Sequence, residues 1–127
     1  MLKFFEKNSS VFYFVFRVVV GVLFFLHGVM KWGVVSSFDF MNLMFWAGVI
    51  EIVGGAFIAI GFMVQWAALI SAFEMLYAYV VVHAPKGLNP VGQGGNGGET
   101  ALLFLVAFLV LLSYGAGKWA VGKKKSK

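Results

Sequence analysis

Cysteine is missing from the 127-residue sequence. Its absence excludes disulfides, iron–sulfur ligation, covalent haem attachment and thiol redox chemistry carried by this chain. It carries no information about compartment. Charge is scarce as well: 12% of residues are Asp, Glu, Lys or Arg and 61% are hydrophobic, whereas a soluble domain has about 25% charged residues. So short and apolar a chain cannot cover its surface with polar groups in water, and a bilayer is its natural solvent. Proline occurs twice, at Pro85 and Pro90, which leaves the apolar runs uninterrupted. There is no nucleotide-binding motif, no metal-ligand cluster and no nucleophile–base pair, so no complete catalytic apparatus is legible.

Four apolar runs are present, at about 11–32, 41–64, 65–84 and 99–121. Each approaches the ~20 residues needed to cross ~30 Å of hydrocarbon. The first is too long for a signal peptide and no small-x-small cleavage site follows it. Runs such as 18–26 and 101–112 lack the polar face that a soluble bundle needs. No alternation suggests a β-barrel. The expected fold is therefore all-α, an integral membrane four-helix bundle forming one domain over 1–127. Between the third and fourth runs, residues 85–98 hold both prolines and many glycines, and are expected to be non-helical. Such a loop must lie at the membrane surface or in a protein-lined cavity.

The formal charge is +5, and five of the ten basic residues fall at Lys118, Lys123, Lys124, Lys125 and Lys127. After an apolar run, such a tail marks the cytoplasmic end of a membrane helix rather than a nucleic-acid contact. With Lys3 and Lys7 it places both termini in the cytoplasm of a cell-membrane protein, and the glycine-rich loop outside. Trp32, Trp46, Trp66 and Trp119 lie near helix ends, consistent with an aromatic belt.

Charged residues inside such helices are costly, by about 2.5–3.5 kcal/mol each at mid-helix. Arg17, Glu51 and Glu74 are retained nonetheless, with His27, Lys31, His83 and Glu99 nearer the ends. Arg17, Gly21, Phe24, Gly28 and Lys31 share one helical face. That face reads either as a polar groove or as a packing surface from which Arg17 snorkels. Glu51 lies among Gly48, Gly54 and Gly55, and Glu74 among Ala67, Ser71 and Ala78, so each should look into the bundle. Helical rise puts both near the midplane, about 14 Å deep. Two close carboxylates cannot both ionise easily, so one is expected to hold a proton or to be neutralised by Arg17. The arrangement reads as a structural Arg–Glu lock or as a proton-linked or substrate-holding site. His27 and His83 fit interfacial hydrogen bonding or contact with a haem or quinone. Glu99, opening the fourth helix, suits the helix dipole.

These residues also carry a resemblance. Arg17-x3-Gly21, His27-Gly28-x2-Lys31, Glu51-x2-Gly54-Gly55-x5-Gly61 and Asn96-Gly97-Gly98-Glu99 occur in that order. Together they resemble the DoxX family of small four-helix membrane proteins, named for a subunit of an archaeal terminal quinol oxidase. The resemblance runs from about Arg17 to Gly117. Gly115-Ala116-Gly117 fits the pattern too, but Lys118-Trp119 replaces the small polar segment usual there. The resemblance implies an oxidoreductase or respiratory-chain subunit, a partner of quinone-linked sulfur oxidation or redox-stress systems. The wider superfamily includes ER cargo receptors without a redox role.

Two functional expectations follow. One is a quinone-linked subunit whose ligand sits near Arg17, His27, Lys31, Glu51, Glu74, His83 and Glu99, in a cavity walled by Phe24, Phe25, Phe57 and Trp46. Its electrons would come from a protein partner. The other is a non-enzymatic structural, lipid-binding or assembly subunit that uses the same polar core as packing glue. Quinone is the cofactor the first implies; no metal is expected. The partners expected are the lipid bilayer and a second membrane protein or further copies of this chain, with no nucleic acid.

Overall fold

A computed structural model describes residues 1–34 and 42–122. The described residues form helices and loops: α1 (Leu2–Lys7), α2 (Ser9–Val34), α3 (Leu43–Ile60), α4 (Val64–Tyr77) and α5 (Glu99–Tyr114). A π-helical turn, Ala78–His83, and a 3-10 turn, Ala84–Lys86, continue α4. The all-helical membrane bundle expected from composition is what forms. Three spans are long and apolar enough to cross a membrane: Ser9–Gly33, Leu43–Ile60 and Val64–Lys86. The fourth, α5, is apolar but has 16 residues, or about 24 Å by helical rise.

Several boundaries differ from the sequence expectation, for local reasons. Asn42 caps α3 by accepting a hydrogen bond from Met44 N at 2.8 Å, so the helix begins at Leu43; Met41 lies outside the described residues. The same helix stops at Ile60 rather than 64. Gly61 adopts φ 85°, and Phe62 N donates to Phe57 O at 2.8 Å while Gly61 N donates to Ile58 O at 3.2 Å. This is a Schellman ending, which uses glycine's tolerance of the left-handed region. The largest difference is at α5, expected to reach 121 and ending at Tyr114. Gly115 and Gly117 have φ 76° and 73°, which no helix continues through. Pro85, expected to exclude helix, instead sits at the start of the 3-10 turn, where a missing N–H costs little.

The bundle consists of two antiparallel hairpins. In the first, α2 packs along α3 through glycines. A methyl group at Gly55 would fall 2.5 Å from Phe25 N and 2.6 Å from Gly21 O, and one at Gly28 would fall 2.8 Å from Ile52 N. Backbone thus lies against backbone, as small residues permit in membranes. In the second hairpin, α4 packs along α5. Phe24 joins the two hairpins: its buried ring meets Phe108 edge-on at 4.7 Å and Phe104 at 5.2 Å. Around them lie Ile58, Ala68 and Leu111, all fully buried.

Candidate functional site

The register of α2 against α3 decides which charges meet. Gly21 lies against Ala59 and Gly28 against Ile52. By the same antiparallel register residue 51 is level with 29, and residue 17 with 63. The polar face of α2 is therefore split between the two ends of the bundle.

At one end, Lys31 reaches Glu51, with Nζ 2.7 Å from Oε2. This is an ion pair by distance, but its angle does not make a directed hydrogen bond, since both Glu51 oxygens remain without a hydrogen-bond partner. Glu51 is only 1% exposed. The Glu74 carboxyl, from α4, lies within hydrogen-bonding reach of Glu51 and within the field of Lys31. So the two glutamates do meet, and the cation beside them is Lys31.

At the other end, Arg17 meets neither glutamate, contrary to the expected Arg–Glu lock. Its guanidinium is 1% exposed and is filled with backbone carbonyls. Nη1 donates to Ala116 O at 2.6 Å and Lys118 O at 3.1 Å; Nη2 donates to Trp119 O at 3.0 Å and Ala59 O at 3.4 Å. Phe14 covers it, with the guanidinium carbon 5.2 Å from the ring centre. Tyr13 donates its hydroxyl to Gly115 O. Val121 N and Gly122 N donate to Ile60 O and Gly61 O at 3.1 and 3.2 Å. The segment after α5, useless to itself as helix, is thus pinned across the ends of α2 and α3. Arg17 belongs to this closure and does not line the cavity on the Lys31 side of the bundle.

A cavity of about 270 Å³ opens where the two hairpins meet on the Lys31 side. Lys31, Glu51, His27, His83 and Thr100 supply its polar side chains, and Phe24, Met75, Ala101 and Phe104 much of its apolar wall. Of the aromatic wall expected from sequence, only Phe24 is there. Phe57 instead lines a separate apolar groove between α3 and α4, with Trp66 and Ser71. Phe25 and Trp46 line neither of these spaces. Glycine contact and a cavity, which look like alternatives in sequence, coexist: the glycines close α2 on α3, and the cavity forms between the hairpins.

His27 stands edge-on to Phe104 at 5.4 Å. His83 ends the π-helical turn. Its Nδ1 is 3.0 Å from Asn96 O, an acceptor, so Nδ1 carries a proton and donates it. Asn96 does more than hold His83. Its Nδ2 donates to Gly87 O at 2.8 Å and to the Tyr79 hydroxyl at 3.3 Å, its Oδ1 accepts from Gly98 N at 2.8 Å, and its own N donates to Asn89 O at 2.7 Å. The glycine-rich loop is therefore folded and fastened, with Asn96 2% exposed and Gly97 against the cavity. Glu99 lies just beyond, exposed in the first turn of α5, and does not line the cavity. Nothing in an isolated Asn among glycines distinguishes a buried clamp from an ordinary turn residue; its only sequence signal is a place in the Asn96-Gly97-Gly98-Glu99 motif.

The family model for DoxX matches residues 12–84. The chain belongs to the DoxX family. The match spans α2, α3, α4 and the π-turn, and so takes in Arg17, His27, Lys31, Glu51, Glu74 and His83. An uncharacterised protein of Haemophilus influenzae is 38% identical over 128 residues, covering 94% of each chain. That similarity extends the likeness beyond the DoxX match. No solved structure matches the chain. In this DoxX protein, then, the family's region supplies Lys31, Glu51, His27 and His83 to the cavity, with Glu74 beside Glu51, while α5 adds Thr100, Ala101 and Phe104 and the loop Gly97.

Proposed function

We propose that this DoxX protein is a quinone-linked membrane subunit that holds one ring-sized ligand in the cavity between its hairpins. The observation that carries the reading is the composition of that cavity: one ammonium, one carboxyl and two imidazoles beside Phe24 and Phe104. Binding sites are typically apolar pockets with a few converging polar groups, and volumes run from about 300 Å³ upward. A space of about 270 Å³ suits a single substituted ring whose apolar tail remains in lipid. Phe24 and Phe104 would flank the ring. Lys31 and the two histidines would meet its oxygens. The chain contains no redox group of its own, so the electrons would come from a partner subunit.

The test is a titration of purified protein with a water-soluble benzoquinone analogue, followed by tryptophan fluorescence. Saturable binding is expected, weakened at least tenfold, or about 1.4 kcal/mol, by both Glu51→Gln and His27→Ala. Absence of binding, or binding indifferent to both changes, would remove the redox reading. The polar groups would then be packing glue in a structural, lipid-binding or assembly subunit, a role that the glycine-zipped hairpin and the Arg17 closure already suit.

The lysine distribution supports a further part of this reading, with both termini cytoplasmic in the cell membrane and the cavity near the outer face. A chain without cysteine takes single reporters cleanly. An impermeant thiol reagent applied to intact cells should label Leu88→Cys and spare Lys3→Cys; the opposite pattern would invert the orientation.

A further inference from the structure

The Glu51 and Glu74 carboxyls lie within hydrogen-bonding reach of each other, and Lys31 Nζ, 2.7 Å from Glu51 Oε2, is the cation beside them. An ionised carboxylate only accepts hydrogen bonds, so two carboxyls within hydrogen-bonding reach require one proton between them. The charge balance of the cluster says the same. With a single proton, Lys31, Glu51 and Glu74 sum to zero, which is what a membrane interior favours. The titratable groups facing the pair, among the described residues, come from four elements. Lys31 and His27 come from α2, Glu51 from α3, Glu74 from α4 and His83 from the π-turn, while α5 offers Thr100, Ala101 and Phe104.

The two carboxyls are not equivalent. Glu51 lines the cavity and Glu74 does not. Glu51 Oε1 is buried and, among the described residues, no donor is directed at it. Glu74 Oε1 is likewise unpartnered, and so is the hydroxyl of fully buried Ser71 one turn earlier in α4.

We propose that Glu51 and Glu74 form a proton-holding pair in which Glu74 is the reserve and Glu51 delivers the proton to whatever occupies the cavity. The transfer is a proton shift alone. The O–H bond of Glu74 breaks as one forms on Glu51, and the Glu51 proton then passes to an acceptor atom in the cavity. No electron moves in these steps. The emptied pair carries two negative charges against Lys31, and a proton entering from water through the cavity restores neutrality. The role rests on the cavity being a ligand site, as argued above, but the stored proton has its own signature.

The decisive measurement is infrared spectroscopy of the full chain in lipid nanodiscs. At neutral pH a carboxylic-acid C=O band should be present above the amide region and should move to lower frequency in D2O. Glu74→Gln and Glu51→Gln should each abolish it, whereas Glu99→Gln, an exposed carboxyl, should leave it intact. Thr100→Trp, which adds bulk at an exposed residue of the cavity lining, should slow the D2O shift without removing the band. A wild-type protein with no such band at neutral pH overturns the proposal without recourse to any variant. A band that survives Glu74→Gln, or a D2O shift indifferent to Thr100→Trp, does so as well. The quinone titration is separate: it decides the ligand, and the infrared band decides the proton.

Discussion

Arg17→Ala is expected to destabilise the folded protein by about 3 kcal/mol or more, since hydrogen bonds to a charged group contribute about 1.5–3 kcal/mol each. Three of its four carbonyl partners, on Ala116, Lys118 and Trp119, belong to the segment after α5. Among the described residues, its other ties to α2 and α3 include the Tyr13 hydroxyl, two backbone hydrogen bonds to Ile60 and Gly61, and the edge-on contact of Trp119 with Phe14. The loss should therefore be local before it is global. Trypsin cleavage after Lys118 should accelerate well ahead of any loss of helical circular dichroism. Arg17→Lys should recover part of the stability, because an ammonium reaches the same region but cannot spread its donors over four carbonyls. Unchanged cleavage and an unchanged melting temperature in Arg17→Ala would show that the closure does not depend on the guanidinium.

A second large effect is expected at the glycine seam. A Cβ at Gly21 would lie 2.7 Å from Gly55 O and 2.8 Å from Ala59 Cα. These are backbone atoms, so no rotamer change relieves the overlap. Overpacking that side chains can absorb costs about 1–3 kcal/mol. Gly21→Val and Gly55→Val should reach or exceed the top of that range, read as loss of the folded state on mild heating in detergent. Gly33→Ala is the matched control. Among the described residues nothing lies within 4 Å of its added carbon, and alanine is the better helix former, so no loss is expected there. Equal behaviour of the three would mean that α2 and α3 do not approach as closely as described.

How far the sequence discloses this protein can be judged residue by residue. The helices are legible because each must bury backbone polarity in lipid, and the apolar runs announce where. The faces are legible too. Glu51 and Glu74 sit among small residues, and small residues mark where helices touch. The partner of Glu51 was the harder matter. Arg17 and Lys31 share one face of α2, and the face alone does not say which is used. Depth does: the two lie 14 residues apart, about 21 Å by helical rise, so one cation could serve the glutamates only if the other served the opposite end. The fate of residues 115–122 was legible only as a break, because glycine says that a helix stops and not where the chain then goes. The aromatics that wall the cavity are not legible, Phe24 excepted, because the cavity lies between hairpins, and hairpin-to-hairpin docking leaves no periodic trace in either one.

The Lys31–Glu51 pairing also bears on how the protein enters the membrane. A chain is made from its N-terminus, so α2 and α3 reach the bilayer before α4 exists. Both partners of the ion pair lie in that first hairpin. Closing α2 on α3 through Gly21, Gly28 and Gly55 neutralises them at once, and the hairpin can leave the translocon carrying no uncompensated charge at this level. Glu74 arrives later, into a site whose charge is already balanced, and so it can be lodged only as an acid. The order of synthesis and the protonation of the finished cluster are then one fact: the last carboxyl to arrive is the one that must bring its proton with it.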